Sequence, residues 1–261
     1  IFNNYQDYNG STLLLGAIFF SFQIYGDFSG YSDIAIGTSR LFGFNLMQNF
    51  ATPYFSRDIA VFWRRWHISL STWFRDYLYI PLGGSKGGTW MKVRNTFIIF
   101  LVSGFWHGAN WTFIVWGGLN ALYFLPLLLV KRNRTNLGVV AEGRVLPNFR
   151  EVFQMGTTFL LTVLAWVFFR SENLTSASGF LKSIFTKNLL QVPDFSGKMD
   201  AAITLLFVLW LVLVEWFNRR EQQAFNRMPN NTTIRYTLYY ILVVTILVNS
   251  GSKQEFIYFQ F

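Results

Sequence analysis

An all-α, polytopic transmembrane fold is what this sequence predicts, on three observations. Hydrophobic residues make up 52% of the 261-residue chain and aromatics 20%, against only 13% charged. Long apolar runs recur at residues 13–25, 97–129, 153–169, 201–217 and 237–248, and those of 17 residues or more are long enough to cross or nearly cross a bilayer. The charge also alternates along the chain. Residues 57–94 hold seven Lys/Arg against Asp58 and Asp76, 131–150 hold five against Glu142, and 219–235 hold four against Glu221. The segment 170–200 between them is nearly balanced. A net charge of +9 spread in this way is the positive-inside pattern and not a nucleic-acid footprint. The basic loops are then cytoplasmic, where they also meet anionic headgroups. With no Cys, disulfides and thiolate metal sites are excluded. The chain opens at Ile1 with no basic, signal-like start. It reads as a single membrane domain over residues 1–261, the C-terminal portion of a longer chain with further helices upstream.

Residues 1–11 are polar without a basic residue and belong outside. Residues 12–44 cross inward, interrupted by Gly26-Asp27-Phe28-Ser29-Gly30-Tyr31-Ser32-Asp33. Two glycines and two carboxylates at mid-span predict a broken helix that lines protein or water; alternatively Asp27 or Asp33 caps the second half-helix. Residues 59–77 place Phe62, Trp66, Ser69/Leu70 and Trp73 on one helical face, with Arg64, Arg65 and Arg75 elsewhere. That predicts an amphipathic helix lying at the cytoplasmic interface, or re-entering the membrane, without crossing it. The glycines and Lys86 of residues 81–88 form a basic turn whose spacing fits no phosphate-loop pattern.

The centre of the chain is residues 95–130, which contain no Asp, Glu, Lys or Arg. As one straight helix they would run roughly 54 Å at ~1.5 Å per residue, against a hydrocarbon core of about 30 Å. In the middle sits Gly104-Phe105-Trp106-His107-Gly108-Ala109-Asn110-Trp111. An ionisable group at membrane depth is a functional candidate. Arg94 and Lys131 bracket the segment, so both ends belong in the cytoplasm. The chain should therefore enter, bend near Gly104–Gly108 and return, with His107 at the inner end of the hairpin. Beyond it come a basic loop to Arg150, an outward helix ending at Phe169, and a loop outside over 170–200. Residues 201–217 return inward, with Glu215 snorkelling or pairing with Arg219. Residues 237–248 exit again and leave 251–261 outside.

The chain has two histidines, and both follow a tryptophan: Arg65-Trp66-His67 and Phe105-Trp106-His107. Two His without a nearby Cys or paired carboxylate make a poor zinc site, and nothing further supports bis-histidine haem ligation. An imidazole in a dry pocket suits the deprotonation of a hydroxyl, its ordinary pKa lying near operating pH. Starting from the cytoplasmic interface, His67 should lie near His107 and not act with it as a joint metal ligand.

The motifs Phe22-Gln23-Ile24-Tyr25-Gly26-Asp27-Phe28-Ser29-Gly30-Tyr31-Ser32-Asp33, Phe62-Trp63-Arg64-Arg65-Trp66-His67 through Asp76-Tyr77, Tyr79-Ile80-Pro81-Leu82-Gly83-Gly84-Ser85, Gly104-Phe105-Trp106-His107-Gly108 and Trp166-Val167-Phe168-Phe169-Arg170 occur in this order. In them the chain resembles the membrane-bound O-acyltransferases. The match is to their bacterial branch, which contains alginate O-acetyltransferase and the D-alanyl transfer proteins of teichoic acid. Gly26 stands where that pattern carries an aromatic. The resemblance implies a ring of tilted helices around a central tunnel, with no permanently bound cofactor. It implies a cytoplasmic thioester donor, acetyl-coenzyme A or an acyl-carrier protein, and a hydroxyl acceptor on an extracytoplasmic cell-envelope polysaccharide or partner protein. By resemblance His107 matches the catalytic histidine and His67 a second active-site position. Arg64 and Arg65, with Lys86, are expected to meet donor phosphates, and Trp106 and Asn110 join the two arginines as substrate-binding residues. The alternative is a non-enzymatic channel or acyl-carrier docking subunit in which His107 only gates.

Overall fold

The computed structural model describes residues 1–221 and 231–249. Every regular element among them is helical, in the order α1 (Gly10–Leu41), α2 (Ile59–Arg65), α3 (Ile68–Phe74), α4 (Thr89–His107), α5 (Trp111–Leu129), α6 (Phe149–Arg170), α7 (Leu174–Thr186), α8 (Lys198–Asn218) and α9 (Thr232–Val248). Four of them, α1, α5, α6 and α8, are long and apolar enough to cross a membrane. The placement outside expected for residues 251–261 lies beyond the described residues.

The 32 residues of α1 form one uninterrupted helix, running about 48 Å at ~1.5 Å per residue. Asn9 caps its start, its side-chain oxygen accepting from Thr12 N at 2.9 Å. The break expected at Gly26–Asp33 does not form, and neither Asp27 nor Asp33 caps a half-helix. A glycine inside a helix costs about 1 kcal/mol, which long apolar flanks absorb. Helical hydrogen bonds leave no backbone group to be satisfied by lipid. Two hydroxyls buried in the long helices bond back to the same helix: Ser21 donates to Ala17 O (2.9 Å) and Thr162 to Thr158 O (2.8 Å).

The expected central hairpin is present. α4 and α5 are 19 residues each and pack antiparallel across a turn at Gly108-Ala109-Asn110. Glycine makes their approach possible. A Cβ at Gly104 would overlap the Phe113 carbonyl oxygen, and one at Gly117 the Phe100 carbonyl oxygen. Backbone thus meets backbone, as at small-residue contacts between membrane helices.

Around the hairpin stand α1 and α6. One cluster joins Phe20, Ile24 and Tyr25 of α1 to Phe62, Trp66, Trp116, Trp166 and Phe169. A second joins Leu13 and Ala17 to Val163, Val167, Phe180 and Ile184. The latter two belong to α7, a 13-residue helix within what was expected to be a loop at 170–200. Ala177, Phe180 and Ile184, spaced three and four residues apart, form one buried helical stripe, here against α1 and α6.

The two ends of the bundle differ in character. At the basic end, the 131–148 loop, the start of α6 and the end of α8 converge. At the far end lie the start of α1, the hairpin turn, Arg170 and α7; Gly10 N donates to Lys187 O at 2.7 Å, and Asn110 Nδ2 to Glu172 O at 2.8 Å. Helix α8 is anchored near its basic end. Glu215 accepts from the Tyr25 hydroxyl, so it neither snorkels nor pairs with Arg219. Arg219 instead donates to the carbonyls of Val140 (2.9 Å), Ala141 (3.2 Å) and Arg144 (2.7 Å). Its guanidinium lies 4.2 Å from the Trp216 ring centre.

Candidate active site

His107 is the last residue of α4. Gly108 follows with φ +155°, and its amide returns to Phe105 O at 3.2 Å. A Cβ at Gly108 would press into the Phe113 ring, so glycine lets the chain turn directly beneath the imidazole. Asn110 then starts α5, accepting from Thr112 N at 3.0 Å. The His107 ring is held edge-on by Trp116 (5.3 Å, 89°), Phe169 (5.0 Å, 77°) and Trp106 (5.1 Å, 77°). These contacts fix its direction by packing against two helices, α5 and α6.

His67 is positioned by backbone strain. The single amphipathic helix expected over 59–77 is instead α2, a reversal at Trp66-His67, α3, and a π-helical turn at Arg75–Tyr79. His67 has φ 45°, ψ 58°, a left-handed conformation that a non-glycine residue enters only at a cost of about 1–3 kcal/mol. The first half of the segment packs inward, while Trp73, Arg75, Asp76 and Tyr77 of the second half are exposed. Ile59, Ala60, Val61, Phe62 and Trp66 are buried, with Trp66 stacked on Phe62 at 5.5 Å and tilted against Trp166 at 5.2 Å. Of the apolar face that suggests an interfacial helix, Phe62 and Trp66 are buried toward α5 and α6, and Trp73 is exposed. The His67 imidazole packs edge-on to Phe28 at 4.6 Å. Its Nδ1 is buried with no hydrogen-bond partner.

Both imidazoles line one cavity of about 160 Å³, walled by aromatic side chains of α2, α4, α5 and α6 and carrying Arg64, Ser71 and Ser103 as its other polar residues. The indole Nε1 of Trp166, another wall residue, is also buried without a partner. A second pocket of about 230 Å³ opens toward the basic end and shares Arg64, Ser71, Ile99, Phe100 and Phe124 with the first. It adds Arg75, Arg134, Tyr79, Ser85 and Asn133. The two pockets follow the flank of the hairpin from His107 toward Thr96, a run of about 16 Å at ~1.5 Å per residue.

The structure therefore brings His67, His107 and Arg64 together. It places the other three expected site residues elsewhere. Arg65 Nη2 reaches Gly138 O at 3.5 Å and does not line either pocket. Asn110 caps α5 and donates to Glu172 O at 2.8 Å, away from the cavity. Trp106 is 56% exposed and touches the site only through the His107 ring. Arg75 and Arg134 were missed. Arg134 sits in a loop that reads as merely cationic, 70 positions from Arg64, and only the fold joins them.

The bundle and its chamber define a class of protein: a multi-pass helical membrane protein that encloses two histidines in one aromatic cavity with an arginine-lined mouth. Within that class the chain belongs to the membrane-bound O-acyltransferase family, whose family model matches residues 8–170. It is 47% identical over 199 residues to a probable alginate O-acetylase of Pseudomonas aeruginosa, covering 76% of this chain and 36% of that protein. It is 44% identical over 169 residues to a peptidoglycan O-acetyltransferase of Helicobacter pylori, covering 65% and 31%. With a teichoic acid D-alanyltransferase of Streptococcus thermophilus the identity is 34% over 194 residues, covering 66% and 43%. The chain thus spans about a third to less than half the length of these relatives.

Proposed function

We propose that this chain carries the reaction centre of a bacterial inner-membrane O-acyltransferase. It would move a short acyl group, acetyl in the first instance, from a cytoplasmic thioester to a hydroxyl of an extracytoplasmic cell-envelope polysaccharide or acceptor protein. The observation that carries this reading is the shared cavity. Two imidazoles line a chamber continuous with a mouth holding Arg64, Arg75 and Arg134. Guanidinium forks suit phosphates, and coenzyme A and phosphopantetheine carriers both present phosphates at the end remote from the thioester. The donor phosphates would rest at the arginines while the pantetheine arm passes Ile99 and Phe100 toward the histidines. Acetylation of alginate or peptidoglycan, named for two relatives, supports acetyl, and D-alanylation, named for the third, supports a carrier-protein donor.

In the reaction, His107 takes the proton of the acceptor hydroxyl as its oxygen adds to the thioester carbonyl carbon. The tetrahedral intermediate collapses by breaking the carbon–sulfur bond. The proton held on His107 then passes to the departing thiolate. His67 hydrogen-bonds the donor carbonyl side and steadies the intermediate. No metal is needed to balance these steps.

The test uses the full-length protein reconstituted in vesicles with radiolabelled acetyl-coenzyme A, and in parallel with a charged acyl-carrier protein. His107→Ala should abolish acyl transfer while membrane insertion and donor binding persist. Unchanged transfer in this variant would overturn the reading. A wild-type protein that binds donor and turns over neither thioester would mark a docking subunit or channel.

A further inference from the structure

We propose that Asn49 is a positioning residue for His67, acting as a helix cap supplied from another segment so that the imidazole is released to the cavity. This rests on the proposed role of His67. His67 occupies the N-cap position of α3, yet its side chain makes no cap hydrogen bond. An N-cap side chain ordinarily accepts from the amide two or three residues on, satisfying one of the orphan donors at the helix start. Here Asn49 accepts in its place. Its Oδ1 takes Ser69 N at 3.2 Å and Ser69 Oγ at 2.6 Å, and its backbone oxygen takes Ile68 N at 3.0 Å.

The same short segment holds the other side of the reversal, Ala51 N donating to Arg65 O at 3.0 Å. The left-handed His67 is thus bracketed by hydrogen bonds from residues 49 and 51 to residues 65, 68 and 69. Asn49 is itself fixed, its Nδ2 donating to Ser32 Oγ of α1 at 3.0 Å. Ser32 lies one helical turn beyond Phe28, whose ring meets the His67 imidazole at 4.6 Å. Helix α1 therefore sets both the backbone of His67, through Asn49, and the plane of its ring, through Phe28. A strained conformation persists only where its surroundings over-determine it, and residues 49–51 and 69 supply that determination.

The experiment compares Asn49→Ala, Asn49→Asp, His67→Ala and the Asn49→Ala/His67→Ala double variant in the full-length protein. Asn49→Ala should lower kcat about 10- to 100-fold, the scale of a misplaced catalytic group, with the KM for acetyl-coenzyme A little changed. Asn49→Asp retains the acceptor oxygen and should restore most of the rate. In the His67→Ala background, Asn49→Ala should cost nothing further, because its effect is exerted through the imidazole. Equal losses in both backgrounds would mark a general structural role and overturn the proposal, as would an unchanged kcat. A second readout is independent of turnover: the rate at which diethyl pyrocarbonate modifies His67, followed by mass spectrometry of its peptide. That rate should change in Asn49→Ala and return in Asn49→Asp. If wild type transfers no acyl group but the modification rate behaves in this way, the acyltransferase reading fails and the clamp stands. A modification rate indifferent to Asn49 removes the clamp.

Discussion

The polar junction at the basic end and the aromatic chamber at the centre each bury a titratable group, and they treat it in opposite ways. Glu151, its side chain 8% exposed, has both carboxylate oxygens satisfied. Oε1 accepts from Ala141 N (3.2 Å) and Arg57 Nη1 (3.4 Å), and Oε2 from Arg144 Nη2 (2.8 Å) and Asn148 N (3.0 Å). The junction also joins Asn136 Nδ2 to Asp58, the cap of α2, at 2.8 Å. His67 keeps an unpartnered Nδ1 on a strained backbone. A buried polar group without a partner costs about 1–3 kcal/mol. The chain can satisfy a buried charge, as Glu151 shows, whereas two wall residues of the chamber keep unpartnered atoms, His67 Nδ1 and Trp166 Nε1, as Ser56 Oγ, Arg57 Nε and Thr112 Oγ1 do elsewhere.

Substitutions can break or sharpen that contrast. Glu151→Ala strips one partner from a buried, multiply bonded site and leaves Arg57 with a lost counter-charge, so unfolding in denaturant should move by about 3–5 kcal/mol. A loss below that scale would mean the junction is ornamental. Gly104→Ala forces the hairpin apart at a backbone contact no side-chain movement relieves, and should cost about 1–3 kcal/mol. His67→Asn should go the other way. Asparagine tolerates left-handed backbone, so stability should shift by no more than about 1 kcal/mol while acyl transfer falls by about 100-fold and stays measurable. If it destabilises as Glu151→Ala does, the chamber is a structural core.

Single cysteines in this Cys-free sequence should cost the fold least. Leu137 and Leu190 are 55% and 99% exposed at opposite ends, and should label from the cytoplasm and from outside respectively. Outside labelling at Leu137 would invert the bundle. Asn136 is a poorer probe, being tied to Asp58.

The central hairpin and the two histidines were legible because their signals are local: glycines at the bend, cations at both ends, tryptophan before each imidazole. Helix α7 was equally local, since Leu174, Ala177, Phe180 and Ile184 repeat at helical spacing, but its polar surroundings masked it as a loop. The break assigned to α1 overweighted Gly26 and Gly30, whose helical cost is small beside that of exposing backbone to lipid. The reversal at Trp66-His67 carries no Gly or Pro, so nothing in its own residues announces it; it is imposed by Asn49 and Ala51. Tyr25 and Glu215 meet across 190 positions, a pairing that only the assembled bundle creates.

That separation in sequence has a consequence for the order in which the protein is made. Synthesis runs from the amino end, and α2 emerges 78 residues before Asn136 arrives to hold Asp58, and 94 before Glu151 arrives for Arg57. Trp166, a wall of the chamber, comes later still. A nascent chain halted after α5 would have both histidines in the membrane and no enclosed space around them. Tyr25 waits longest, until α8 delivers Glu215. The chamber therefore closes only once α6 has supplied Trp166, long after both histidines have been made.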